Sequence, residues 1–333
     1  MEKPVIAVSM GDPAGVGPEL AVKTLQAPAT WEICRPFIVG DLATLAEIES
    51  VLHTGLRFRT VARPAEARFA PPVVDVLPPE RLPAGPVPWG KVDALGGEAA
   101  ASCLRAIMAL AQRGEVQGAA LAPMNKEAFH QAGYDYMDEL AYMAELTGSR
   151  NTYLFGVARG LWTTMVTEHI AFRDMFDQIR QERILAHIVE MNRVLLGAGI
   201  AAPRIGVAAL NVHGGEGGLY GREEIEEIAP AIRAARAARI DAQGPIPGDA
   251  LFPLAFAGRF DGVVCMYHDQ ANIARKLQPR GEGATIFMGL PVPCATTAHG
   301  TAFDIAGKGL AGPGSLQAAL RYVAQLASRA RGL

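Results

Sequence analysis

The sequence predicts an α/β protein with a mostly parallel sheet covered on both faces. Short β-rich runs alternate with amphipathic helical patterns along the chain. Half of the 333 residues are apolar, enough to bury a sizeable core. The strand candidates are VIAVSM (5–10), PFIVGD (36–41), VVDVLP (73–78), GAALAPM (118–124), WTTMVT (162–167), RIGVAAL (204–210), DGVVCMY (261–267) and ATIFMGL (284–290). Apolar residues at helical spacing mark helices over 98–113, 177–196, 222–239 and 316–331. The Pro- and Gly-rich stretch LPPERLPAGPVPWG (77–90) reads as a long surface loop, and no internal repeat is visible.

Composition narrows the function. Lys and Arg number 31 against 34 Asp and Glu, a net charge of −3, so no broad phosphate-neutralising surface for nucleic acid is expected. Small-molecule chemistry fits better. Cys34, Cys103, Cys265 and Cys294 lack C-x-x-C spacing, which suits reduced thiols rather than a disulfide framework or a zinc knot. No signal peptide and no apolar run of about 18 residues is apparent, so a cytoplasmic protein without a membrane partner is expected.

The stretch MGDPAGVGPEL (10–20) lies where a first strand hands over to a helix. It is neither of the common phosphate cradles. The third glycine of the dinucleotide fingerprint is missing, and no Gly-Lys-Ser/Thr follows. A nucleotide, if used, is held elsewhere.

In open α/β sheets, functional residues gather beyond the carboxyl ends of strands. Three of the seven histidines occupy such places: His169 in MVTEH, His213 in LNVHGGEGG and His268 in MYHDQ. Single imidazoles on distant loops are a common way to build a catalytic zinc site with an open coordination position. A lone strand-end histidine is more often a hydrogen-bonded structural residue. Glycines around His213 allow close backbone approach, and Asp269 and Asp249, the latter in GPIPGDALF, are candidate supporting carboxylates. His53, His130 and His187 are structural by default. The segment HGTAFDIAGKG (299–309) could wrap an adenosine, with a carboxylate accepting from ribose hydroxyls, or form a tight structural turn.

MGDPAGVGPE, NKEAF, VTEH, LNVHGGEGG, GPIPGDALF, MYHDQ and HGTAFDIAGKG, spread in order from residue 10 to 309, together resemble the 4-hydroxythreonine-4-phosphate dehydrogenase (PdxA) family. The resemblance implies a two-domain isopropylmalate/isocitrate dehydrogenase-like fold, with mostly parallel sheets and an interdomain active-site cleft. Its cofactor-side domain would span 1–125 plus about 285–333, and a second domain about 126–284. It also implies a homodimer with a shared active site, and oxidation of a β-hydroxy acid by NAD, with NADP an alternative, followed by decarboxylation. His169, His213 and His268 become ligands of a divalent metal, zinc first. His299, Gly300, Thr301 and Asp304 become cofactor-loop residues, Lys276 a substrate-binding and catalytic lysine, and Asp249 a second catalytic candidate.

The substrate half departs from the family pattern. Met137 and Asp138 stand where the family has His-Thr, Thr285 where it has Asn, and Cys294 where it has Arg. Cysteine cannot replace the charge or the forked donors of an arginine holding phosphate. This profile resembles the terephthalate cis-dihydrodiol dehydrogenase branch, so terephthalate 1,2-cis-dihydrodiol, giving protocatechuate, is the expected substrate. The alternative is 4-phosphohydroxy-L-threonine or a related phosphosugar acid, with phosphate held by Arg275 or Arg280. A second alternative is a non-catalytic small-molecule binding protein.

Overall fold

The computed structural model describes residues 2–82, 85, 87–278 and 283–330. The chain divides into two compact units, Met1–Thr152 with Gly281–Leu333, and Tyr153–Arg280. The first unit opens with β1 (Val5–Ser9), α1 (Gly17–Gln26), α2 (Pro28–Ile33), β2 (Arg35–Val39), α3 (Leu42–Leu52), β3 (Arg57–Thr60), β4 (Val73–Leu77), α4 (Ala94–Gln112), β5 (Gly118–Leu121), α5 (Lys126–Gln131) and α6 (Glu139–Thr147). The second unit holds β6 (Tyr153–Ala158), β7 (Leu161–Met165), α7 (Gln181–Gly197), β8 (Arg204–Ala208), α8 (Ala229–Ala237), β9 (Asp241–Ile246), α9 (Gly248–Phe256), β10 (Gly262–Cys265) and α10 (His268–Lys276). The chain then returns to the first unit with β11 (Ala284–Met288), β12 (Cys294–Thr297) and α11 (Gly314–Ala330).

Strand order in the first unit is β3-β4-β2-β1-β5-β12-β11, parallel throughout except for the antiparallel β11–β12 pair. In the second unit it is β6-β7-β10-β8-β9, parallel except for β6–β7. Central strands are buried along their whole length. Ile6, Val8, Phe37 and Ile38 form the heart of the first core, and Leu161, Leu251, Val263 and Cys265 that of the second. Burial of both faces requires covering helices, as the alternating pattern predicts.

All eight expected strands form. The pattern does not reveal β3, β6, β9 or β12. RFRT of β3 carries two arginines and is largely exposed. DAQGPI of β9 contains a glycine and a proline, which lower its strand signal. β6 joins β7 through Arg159 and Gly160, both with positive φ, in the two-residue hairpin geometry that asparagine and glycine usually announce. The helix expected over 222–239 begins as a π-helical turn, Glu224–Ile228, before α8. Pro230 has no N–H to continue a regular ladder there.

The first unit extends beyond the expected boundary at residue 125, because α5 and α6 pack on α4. Phe129 and Tyr142 are buried, with rings edge to face at 5.3 Å. Gly97 of α4 lies so near Ala128 that a Cβ would come within 2.1 Å of its carbonyl oxygen. α4 is the one helix among the described residues long and apolar enough to cross a membrane by length and composition, and most of that window is buried inside the protein. Residues 83, 84 and 86 of the expected 77–90 loop lie outside the described residues. The four cysteines are free and buried.

Candidate functional site

β7, β10 and β8 are neighbours and parallel, so the segments leaving them share one edge of the second unit's sheet. His169, His213 and His268 lie in those three segments. Two polar side chains tie the exits together. The Thr167 hydroxyl and N–H both donate to the Met266 carbonyl, at 2.8 and 3.1 Å. Gln270 accepts from the Met266 N–H and donates to the Ala209 carbonyl, each at 2.8 Å.

The His169 and His268 rings are 5.4 Å apart between centroids. His268 Nδ1 faces Asp269 Oδ1 at 2.7 Å, and His213 Nδ1 faces Glu216 Oε1 at 3.2 Å. A carboxylate on Nδ1 fixes the tautomer and leaves Nε2 as the nitrogen with an open lone pair, and imidazoles so held are chemically suited to a borderline divalent ion such as zinc. Beside His169 and His268 lies a cavity of about 260 Å³, bounded also by Glu168, Asp269 and the edge-to-face pair Phe172 and Tyr267. His187, by contrast, is buried and neutral. Burial pushes its pKa down to about 3, and it packs against Thr164 and Tyr153 as a structural histidine.

The His213 segment has an unusual backbone. His213, Gly214, Gly215, Glu216 and Gly217 have φ of 51, 70, 80, 46 and 69°, a left-handed turn in which His213 and Glu216 are not glycine. Such a residue costs roughly 1–2 kcal/mol in this conformation.

α10 starts at His268 and ends at Lys276, which places their backbones about 12 Å apart along the helix axis. Lys276 is exposed, as is Asp249 in the first turn of α9. Arg275 is turned inward. Its guanidinium lies on Gly156, where a Cβ would come within 2.2 Å of Nη1, and Nη2 donates to Asn272 Oδ1 at 2.5 Å. Nη1 is buried without a partner. Arg275 therefore does not present a phosphate-binding fork here, contrary to the alternative in which it takes over from the missing arginine. Arg280 lies outside the described residues.

In the first unit, Met137 is 56 % exposed. Asp138 caps α6, accepting from the Ala141 N–H at 2.9 Å, a local helix role the sequence reading overlooked. The adjoining Glu139 has its pKa raised by burial, and Asp138 adds to the rise. Thr285 pairs with Thr296 across β11 and β12. Cys294 has no exposed surface, and burial pushes its thiol up to about 12, so it is a neutral packing group.

The opening motif forms a socket for the 299–311 segment. Val16 N–H donates to the Thr301 carbonyl at 2.9 Å, and a Cβ at Gly15 would come within 2.8 Å of Thr301. Buried Glu19 Oε1 accepts from Lys23 and from the Ala311 N–H, both at 2.7 Å. Lys23 also donates to the carbonyls of Gly309 and Ala311. Gly90 donates to Ala14, and Gly307 abuts the Trp89 ring. His299, Gly300 and Asp304 remain exposed on this supported segment, whereas Thr301 is buried.

Asp12 lies under the same turn. Burial pushes its carboxyl up to about 6, and Oδ2 has no partner. The folded state therefore holds this proton more tightly than the unfolded chain. The resulting stability is present at low pH and is lost as pH rises from about 4 through 6. Asp12→Asn is expected to be more stable than the parent at pH 8 by about 2 to 3 kcal/mol in urea denaturation, the advantage shrinking toward pH 4.

The sequence profile described as pyridoxal phosphate biosynthetic protein PdxA matches residues 32–323. The chain is 41% identical over 327 residues to D-threonate 4-phosphate dehydrogenase of Cupriavidus necator, covering 98% of each chain. It is 37% identical to the solved 4-hydroxythreonine-4-phosphate dehydrogenase of Burkholderia phymatum, covering 98% of this chain and 99% of that one, with a TM-score of 0.83. The solved terephthalate 1,2-cis-dihydrodiol dehydrogenase of Burkholderia xenovorans LB400 is 30% identical, covering 97% and 98%, with a TM-score of 0.67. The expected placement in the terephthalate branch is thereby corrected, since that enzyme is a more distant neighbour than those named for phosphorylated substrates. Four changed side chains weigh less than similarity along the whole chain, and the chain belongs to the PdxA family.

Proposed function

We propose that this protein, a dehydrogenase, oxidises the hydroxyl β to the carboxylate of a phosphorylated hydroxy acid of the D-threonate 4-phosphate or 4-phosphohydroxy-L-threonine class. The carrying observation is the placement of His169, His213 and His268 on three neighbouring strand exits, two of them with carboxylate-supported imidazoles. These residues would hold a divalent ion, zinc in the first instance, which supplies Lewis acidity that stabilises developing negative charge on oxygen. NAD, or NADP, would accept the hydride, with His299, Gly300, Thr301 and Asp304 forming its loop.

The chain's own residues then have defined tasks. Lys276 meets the substrate carboxylate with its ammonium group. The hydroxyl proton needs an acceptor, for which Asp249 is a candidate, and Lys276 only in its neutral amine form, in place of its ammonium role. Removing hydride and proton leaves a β-keto acid; its carboxylate then departs as carbon dioxide, the electron pair of the broken bond passing into an enolate that takes up a proton at the α-carbon. A homodimer completing the site is part of this reading and is measured by sedimentation.

The second reading, a non-phosphorylated carboxylated cis-dihydrodiol, is favoured by the neutral buried Cys294 and the inward Arg275. NADH formation in the presence of zinc, compared for D-threonate 4-phosphate, 4-phosphohydroxy-L-threonine and terephthalate 1,2-cis-dihydrodiol, separates them. A phosphorylated substrate is expected to win in kcat/KM by tenfold or more, about what one charge-assisted phosphate contact supplies. The reverse ratio would transfer the assignment to the dihydrodiol, and turnover without released carbon dioxide would remove the decarboxylation. Absence of NAD binding by calorimetry would support a non-catalytic binding protein.

A further inference from the structure

Glu224 is a charged side chain buried at the base of the His213 turn, only 3 % exposed. Its Oε1 accepts from the N–H groups of Leu210 and Asn211 at 2.8 and 2.7 Å, and its Oε2 from the Asn211 amide at 2.9 Å. Among the described residues no cation pairs with it. Its bonds all go to Leu210 and Asn211, which lead from β8 into the left-handed turn. A Cβ on Gly215, within that turn, would come within 2.9 Å of Glu224 Oε2. The turn is thus seated directly on the carboxylate.

Holding two non-glycine residues at positive φ is unfavourable, and a plain connection between strand and helix needs neither that nor a buried carboxyl whose oxygens are both given to the strand exit. Here the two coincide at one of the three histidines. We propose that Glu224 is a positioning residue for cation binding. It clamps the exit of β8 so that the left-handed turn presents His213, with Glu216 on its Nδ1, in the orientation a divalent ion requires. Gln270 fixes the preceding residue, Ala209, to the segment carrying His268, so the clamp and this brace hold adjoining residues of the His213 strand exit. The inference rests on the metal-site reading of the three histidines.

The test measures zinc affinity of the full-length protein by competition with a chromophoric chelator, using Zn²⁺ alone, beside the thermal midpoint of the metal-free protein. Glu224→Gln keeps the shape but replaces an acceptor oxygen by a donor. Gly215→Ala removes no polar group but sets a Cβ against Glu224 Oε2 and strains the backbone at φ 80°, so it perturbs the seating of the turn on the carboxylate from the other side. Both variants are expected to bind zinc about tenfold to a hundredfold more weakly than the parent, the range seen when groups that orient a ligand are removed. A purely structural role would lower the thermal midpoint and leave zinc affinity unchanged. Zinc affinity within twofold of the parent in both folded variants, with His213→Ala weakened, would overturn the clamp and leave the metal site standing. Undiminished affinity in His213→Ala would overturn the metal site itself, and this inference with it.

Discussion

His268→Ala is expected to lower kcat/KM by about a thousandfold or more and to weaken zinc binding in parallel. The loss corresponds to removing a group that stabilises charge in the transition state. The fold should survive, because the ring is about one-third exposed and the helical contact to Asn272 uses the His268 carbonyl rather than its side chain. His187→Ala is the matched control. It removes a buried imidazole that packs on Tyr153 and contacts Thr164, so it should lower the thermal midpoint while leaving zinc affinity near that of the parent. NADH formation and chelator competition on both variants give the comparison. Unchanged turnover in His268→Ala would exclude that histidine from the site.

Glu19→Ala is expected to destabilise the protein by about 3 kcal/mol, measured by urea denaturation. Glu19 is fully buried, and its loss strips an acceptor from both Lys23 and the Ala311 N–H. Removing one partner of a buried ion pair typically costs this much, because the other charge is left uncompensated. The same change loosens the support of the 299–311 segment. NAD should therefore bind several-fold more weakly in calorimetry, while zinc affinity stays near the parent value. An unchanged NAD affinity would separate the socket from cofactor binding.

Much of the fold was legible in the sequence because burial leaves a periodic local mark. The eight strand runs and the alternation with helices are that mark, and each of the three histidines stands just beyond such a run. Strand adjacency was not legible. That β10 lies between β7 and β8, bringing His268 between the other two exits, is a property of the sheet order. The sequence placed residues 126–147 with the second domain, but packing of Phe129 and Tyr142 against α4 assigns them to the first unit.

Similarity to relatives favours the alternative substrate class over the expected dihydrodiol for a related reason. Met137, Asp138, Thr285 and Cys294 are four positions, whereas similarity over 98% of the chain weighs every position. The role of the opening motif was equally out of reach. Glu19 and Ala311 are 292 residues apart in the chain, and no local pattern announces that one accepts a hydrogen bond from the other. Arg275 makes the same point. Read along the chain it is a cation two positions beyond Ile273, but the missing Cβ of Gly156 lets it turn into the protein. By itself the sequence determined eight of the strands, the long helical patterns and which side chains are candidates for holding a metal, because those follow from local spacing and residue type. Only the tertiary structure decided which of those side chains meet and which are exposed, because contacts between distant segments depend on how the whole chain packs.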